Sequence, residues 1–536
     1  MNSSEEFDLL LVNGRIVDGT GNPWYRADVG LKGERIDSIG LLGSEDAKRR
    51  IDLDGLVLSP GFIDIHTHSD LTPFVAPEAD SHVYQGVTTD VIGNCGGSQA
   101  PMSDYLKERQ RPIAEEYGIE FDWNTFGEYL AKLESMKVSI NLAAFVGQGT
   151  VRTAVMGMEN RQPTRGELEE MKGHVAEAME AGAFGVSTGL WYAPSGFAGT
   201  EEIIELARVV ASYGGIYATH IRGEGDPLIE AVREAIEIGD RAGLPVQISH
   251  HKAMGMRNWG KVHETLRMME EARGRGVEVT ADVYAWTANA TGLTAMLPHW
   301  VHERGRGAII ERLGDREARE RIKEDMIEGI PGWESLVSEC GWDRIMITRS
   351  PNHEDYEGRT VQELAEKGGV DPYDFAFDLL IEEDCMVGLV IFSIDEEDAM
   401  YVMRHPLTMI ASDSSAICPR GYVGRGKPHP RGYGNAVRFL GTYVREKKLM
   451  TLEGGVRKLT SFPARKAGLK DRGMIREGLA ADLVAFDPDE IANTATYQDP
   501  HRYPRGVHYV LVNGSLVVEK GEHIGTYPGK ILRRPG

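Results

Sequence analysis

Leu58-Ser-Pro-Gly-Phe-Ile-Asp-Ile-His66, continued by Thr67-His68, opens the part of the chain whose rhythm decides the fold. A Pro-Gly pair punctuates an apolar run of strand length, and the run ends in two histidines. Because side chains alternate along a strand, His66 and His68 project to the same side. From about residue 59 to 416, short apolar runs alternate with helical segments, the pattern of βα units and a parallel sheet.

The strand-like runs are 58–66, 88–92, 139–146, 183–188, 215–219, 245–249, 278–283 and 408–412. Helical spacing stands between them. Leu168, Met171, Val175 and Met179 follow a Thr164…Glu167 capping box; Ile203, Leu206 and Val210 form a second stripe, and Val262, Leu266 and Met269 a third. Gly182, Gly214 and Gly243 occupy expected C-cap positions. Eight parallel strands with intervening helices imply an α/β fold of the (β/α)8 TIM-barrel type. About 120 residues separate the last two strands. Residues 287–345 are expected to form an insertion over the barrel mouth, and 387–394 competes with 408–412 for the place of eighth strand.

Outside this region both ends read as β structure. Leu11-Val-Asn-Gly14 before Ile16-Val17 matches Leu511-Val-Asn-Gly514 before Leu516-Val517, and Asn-Gly between apolar runs is the strongest short hairpin signal. The expectation is one small β-sandwich domain built from 1–58 and 473–536, enclosing a barrel domain over 59–472.

Active sites in this fold gather where the strands end. His66 and His68 end the first strand, Cys95 follows the second, His220 and His250 end the fifth and sixth, and Asp413 ends the eighth. Imidazole, thiolate and carboxylate are the ligand types that zinc accepts. A lone His-x-His is often a satisfied pair, and a lone buried cysteine usually behaves as a small hydrophobe. Four histidines, a cysteine and an aspartate at the ends of five strands point instead to a metal site. His251 follows His250 and points the other way, so its expected role is packing or support.

Gly61-Phe-Ile-Asp-Ile-His-Thr-His68 resembles the first-strand signature of the amidohydrolase superfamily. Gly93-Asn-Cys-Gly96, Ser187-Thr-Gly-Leu-Trp-Tyr192, Thr219-His-Ile-Arg-Gly-Glu224, Ser249-His-His-Lys252, Ser412-Asp413, Pro428-His-Pro-Arg431 and Pro528-Gly-Lys-Ile-Leu-Arg533 narrow the resemblance to the N-acyl-D-amino acid deacylases, or D-aminoacylases, over almost the whole chain. Unlike the binuclear hydantoinases and dihydroorotases, the fourth strand ends Val186-Ser-Thr188, without a lysine.

The resemblance implies a tight Zn2+ at Cys95, His220 and His250, and a second, weaker site at His66, His68 and the shared Cys95. It implies Asp413 as general acid/base, and Tyr192, Lys252, Tyr284 and Arg431 as binders of the substrate carboxylate. The loop 415–427, between Asp413 and Arg431, is longer than the family pattern and brings Arg420 and Arg425, either of which can take the place of Arg431. The activity implied is hydrolysis of an N-acyl-D-amino acid to a carboxylate and a D-amino acid, with preference for the D isomer coming from the resemblance. The alternative is a related amidohydrolase acting on another amide, a dipeptide-like compound, a cyclic imide or a carbamate. A barrel scaffold without catalysis is opposed by the intact set of ligand-type residues.

Composition sets the outer limits. The 536 residues are 41% hydrophobic and 26% charged, a globular profile. A net charge of −23 repels a phosphate backbone and argues against nucleic-acid or anionic-membrane partners, leaving a small-molecule amide as the expected partner. The longest notable apolar run, 386–392, is strand-sized, well short of the roughly 18 residues that span a bilayer. Four cysteines are too few for a disulfide framework, and Met1-Asn-Ser-Ser-Glu-Glu6 carries no basic leader, so the expectation is a cytoplasmic protein. The sequence leaves the oligomeric state open.

Overall fold

The computed structural model describes residues 6–534; the leader reading of the first five residues lies outside them. All eight expected strand runs are strands. Phe62–Asp64, Val87–Ile92 and Asn141–Ala144 pair in parallel, and Val146–Gly147, Gly185–Gly189, Ile216–His220, Val246–Ile248, Val279–Val283 and Thr408–Ile410 form a six-stranded parallel sheet. Only Phe145 separates Ala144 from Val146, so the third run passes from one sheet into the other. Beyond the first and last strands the chain meets itself: Asp413 N–H donates to His66 O at 2.9 Å, His68 N–H donates to Ser414 O at 2.9 Å, and Thr67 bridges Ser414 in parallel.

The helices form for the local reasons their sequences carry. Thr164 and Glu167 make the reciprocal capping box of Arg165–Ala181, Met171, Val175 and Met179 are buried, and Gly182 ends the helix in the left-handed region at φ 109°. Leu228–Ala242 buries Leu228, Val232, Ala235 and Ile236 on one face and ends at Gly243, φ 73°.

Residues 388–391 are not the eighth parallel strand. Gly388–Ile391 pairs antiparallel with both Asn289–Gly292 and Ile345–Arg349, and this three-stranded sheet is separate from the parallel one. The excursion expected near 287–345 therefore runs on through Ile391, with its own core around Leu336, Trp342, Phe377 and Leu389.

One nine-stranded sheet draws strands from both ends of the chain, and Val57–Pro60 pairs antiparallel with Leu483–Phe486 where they meet. The two Asn-Gly pairs behave differently within it. Asn513-Gly514 turns between Val507–Val512 and Ser515–Glu519, with φ 47° and 77°. Asn13-Gly14 makes no hairpin: Leu9–Ile16 is a single strand, and the pair forms a bulge opposite Tyr25–Lys32, where Asp28 Oδ1 accepts the Asn13 N–H at 2.9 Å.

A buried polar cluster ties this sheet to the third parallel strand. Asp482 pairs with Arg472, accepts the Asn513 N–H at 2.6 Å, and accepts from Asn141 Nδ2 at 3.1 Å. Replacing one partner of a buried pair leaves the other charge uncompensated, at about 3–5 kcal/mol. Asp482→Leu should accordingly lower the thermal midpoint by several degrees or more; wild-type melting would remove the cluster from the supports of the fold.

Candidate metal centre

Each ligand-type side chain enters the site from the end of a different strand. His220 is the last residue of Ile216–His220, while His66, Cys95, His250 and Asp413 lie two or three residues beyond theirs. Cys95, His250 and Asp413 have φ of 50°, 36° and 51°, a conformation that costs non-glycine residues about 1–3 kcal/mol each and concentrates at functional sites. Just before Cys95 the chain crosses so close to Phe145 that a Cβ on Gly93 would stand 2.0 Å from its carbonyl oxygen. Only glycine fits there.

Cys95 Sγ lies 3.7 Å from His250 Nε2, 3.8 Å from His220 Nδ1 and 3.3 Å from His66 Nε2. Zn–S and Zn–N bonds of about 2.3 and 2.0 Å at a tetrahedral angle put sulfur and nitrogen about 3.6 Å apart, so Cys95, His220 and His250 fit a zinc ion. Burial opposes ionisation of the Cys95 thiol, but His66 and the hydrogen bonds from His220 and His250 hold it well below the usual thiol range. Thiolate is the ligating form.

A second group of ligand atoms, from His66, Cys95, His250 and Asp413, also converges within 4.8 Å. His68 is not in it: its Nε2 lies 3.1 Å from Asp413 Oδ1. A third cluster, Asp64, His82 and Asp90, is spent on hydrogen bonds. His82 Nδ1 is 2.9 Å from Asp90 Oδ1, and Asp64 Oδ1 accepts the His66 and Ser412 N–H groups at 3.2 and 3.0 Å, tying the first strand to the last.

Two carboxylates that sequence reasoning missed orient the ligands. Glu224 Oε1 lies 2.9 Å from His250 Nδ1 and accepts from Lys252 Nζ at 2.6 Å, while its Oε2 faces His220 Nε2 at 3.9 Å. Burial pushes its carboxyl up, yet Lys252 and the two imidazoles outweigh burial and hold it well below the usual range. Asp282 Oδ1 accepts the His250 N–H at 2.8 Å and stands 3.3 Å from His66 Nδ1. Asp282 did carry a signal, as a charged residue inside the strand run 278–283. Glu224 ends the Thr219–Glu224 motif that carries the resemblance, yet no role of its own followed from the sequence.

The remaining candidates divide by position. A cavity of about 220 Å3 opens above the centre, lined by His68, Tyr192, Lys252, Asp413 and Arg431, among others, with Ala290, Thr291 and Ala295 from the excursion. Arg431 Nη2 pairs with Asp413 Oδ2 at 2.8 Å, and its Nε and Nη1 are buried without partners. Burial raises the Asp413 carboxyl, but Arg431 foremost, then His250 and His68, holds it well below the carboxylate range. Tyr192 lines the cavity and its Oη meets Thr291 Oγ1 at 3.2 Å. Tyr284 does not line it; its ring lies behind, 4.5 Å from the Arg431 guanidinium. Arg420 and Arg425 also lie elsewhere, paired with Asp80 and Glu116. His251 Nε2 meets Thr265 Oγ1 at 2.8 Å, facing away from Cys95.

Comparison with known proteins places this geometry in context. The model of the amidohydrolase family matches residues 49–518. D-aminoacylase of Alcaligenes xylosoxydans xylosoxydans is 36% identical over 531 residues, 99% of this chain and 98% of the relative. The structure of N-acyl-D-glutamate deacylase from Bordetella bronchiseptica, complexed with zinc and a phosphonate mimic of the tetrahedral intermediate, is 35% identical with a TM-score of 0.83, covering 99% of this chain and 100% of that one. A D-aminoacylase structure concerned with a binuclear metal centre, one-metal activation and second-metal attenuation is 35% identical with a TM-score of 0.82, covering 98% of this chain and 100% of that one.

Loss of a carboxylate that orients a ligating histidine costs about 10- to 100-fold in metal affinity. Glu224→Gln is expected to weaken zinc binding by that factor in a competition titration; unchanged affinity would mean that the carboxylate does not tune His250.

Proposed function

This chain belongs to the amidohydrolase family, and we propose that it is a zinc-dependent deacylase that hydrolyses N-acyl-D-amino acids to a carboxylate and a D-amino acid. The observation that carries this reading is the facing of Cys95, His220 and His250 at zinc-ligand spacing beneath a cavity walled by Asp413 and Arg431. Preference for the D isomer rests on the relatives. The eight parallel strands are read as a closed (β/α)8 barrel over 59–472, and the nine-stranded sheet as the β-sandwich of 1–58 and 473–536. Free thiols at all four cysteines suit a reducing, cytoplasmic setting, and no helix among the described residues is long and apolar enough to cross a membrane.

Cys95, His220 and His250 would hold the tight zinc, and His66 with Cys95 the weaker second site, where Asp413 converges rather than His68. Zinc bound there supplies Lewis acidity that activates water and polarises the scissile carbonyl. Asp413, ionised beside Arg431, takes the proton of the attacking water and passes it to the departing amine nitrogen. His68, against Asp413 Oδ1, fixes the direction in which that carboxylate points.

Arg431 has a second task. Its Nη2 holds Asp413, and Nε and Nη1, which lie on different edges of the guanidinium, remain as single donors for the substrate carboxylate. Lys252, the other cation among the described residues lining the cavity, is engaged by Glu224. Two substrate carboxylates would compete for the remaining donors of one guanidinium. The cavity therefore favours substrates whose only anionic group is the α-carboxylate over N-acyl-D-aspartate or N-acyl-D-glutamate. Tyr284, stacked behind Arg431, supports it rather than touching substrate.

Wild-type protein should contain zinc and release amine from N-acetyl-D-amino acids with neutral side chains, faster than from the L or acidic D series, and Cys95→Ala should lose both metal and activity. Zinc without cleavage of either isomer would overturn the substrate assignment. Asp413→Asn is expected to keep its zinc while kcat falls about 10²- to 10⁴-fold; a kcat near wild type would remove Asp413 from proton transfer.

A further inference from the structure

Two carboxyls of the excursion reach the metal centre from behind. Glu334 and Glu339 are 6% and 8% exposed, and Glu339 lies on the short helix Leu336–Cys340. Both face the loop Glu224-Gly225-Asp226 that follows the fifth parallel strand. Glu334 Oε2 accepts the Glu224 N–H at 3.0 Å, and Glu339 Oε1 accepts the Asp226 N–H at 3.4 Å. Glu339 Oε2 also accepts from Asn258 Nδ2 at 2.9 Å. The carboxyls close over bare backbone between these contacts: a Cβ on Gly225 would stand 2.0 Å from Glu334 Oε1 and 2.1 Å from Glu339 Oε2.

Charge balance makes the arrangement informative. Around the pair stand the carboxylates of Glu224 and Asp226, the guanidinium of Arg257, 3.2 Å from Glu339 Oε1, and the ammonium of Lys261, which donates to Asp226 O at 2.9 Å. Arg257 is already bidentate to Asp226, at 2.8 and 2.7 Å. Two further buried negative charges are more than these cations can offset, which favours the neutral form of one carboxyl of the pair. Burial raises both carboxyls, and Glu339 raises Glu334 further. The loop they hold carries the Glu224 carboxylate, whose Oε1 meets both His250 Nδ1 and Lys252 Nζ.

We propose that Glu334 and Glu339 act as one positioning pair, through which the excursion holds the Glu224 loop and so fixes the orientation of His250 and Lys252. The proposal rests on the reading of His250 as a zinc ligand. Glu334 needs to be an acceptor for the Glu224 N–H, and it does not need to be charged. A glutamine preserves that acceptor and a leucine removes it.

The test is zinc affinity by competition titration of full-length wild type, Glu334→Gln, Glu334→Leu and Gly225→Ala, with thermal melting of each. Glu334→Gln should bind zinc within about twofold of wild type, and Glu334→Leu should bind about tenfold more weakly, the lower end of what outer partners of metal ligands contribute. Gly225→Ala, which displaces both carboxyls, should match the leucine variant and decides the question if that variant fails to fold. Wild-type affinity in the folded leucine or alanine variant overturns the proposal, as does a glutamine variant as weak as leucine. A wild type that binds no zinc overturns the reading of the metal centre instead.

Discussion

A buried charge survives only with a partner, and in this protein that rule organises everything above the parallel strands. Glu224, with 2% of its side chain exposed, is held by Lys252 and by the imidazole of His250. Asp413 is held by Arg431 and His68. The Cys95 thiolate is held by three imidazoles. These partnerships interlock, because His250 faces both the thiolate and Glu224. A change at any one member passes to the ligand atoms.

The parallel strands make the interlocking possible by ending together. Backbone held in the left-handed region at Cys95, His250 and Asp413 turns each side chain inward at the point where its strand stops. Such conformations persist only where the surroundings over-determine them. Here that support includes Asp282, which accepts the His250 N–H, and Asp64, which accepts N–H groups from both the first strand and the last. The backbone that carries the candidate ligands is thus held by carboxylates from neighbouring strands as well as by its side-chain partners.

The excursion between the seventh and eighth strands works on the site from two directions. From above, Asn289, Ala290, Thr291 and Ala295 line the cavity. From behind, Glu334 and Glu339 seat the loop that carries Glu224. One segment with its own sheet and core therefore bears on both the cavity wall and the loop of Glu224.

The sequence by itself determined the strands, their order and the ligand types at their ends, because a period of two, a capping box or a glycine at a C-cap acts over a few neighbouring residues. The convergence of His66, Cys95, His220, His250 and Asp413 was legible for that reason, whereas His68 turns its Nε2 to Asp413 Oδ1 instead. Tertiary structure decided who partners whom. Asn13-Gly14 and Asn513-Gly514 are the same dipeptide and each asparagine N–H meets an aspartate, yet the first is a bulge within a continuous strand and the second a turn between two strands. Glu224, though part of a quoted motif, received no role because its partners lie 26 and 28 residues further along, and Tyr284 packs its ring 4.5 Å from the Arg431 guanidinium rather than lining the cavity. The separation of the ends of a buried pair is set by packing of the whole chain, and no local pattern carries it.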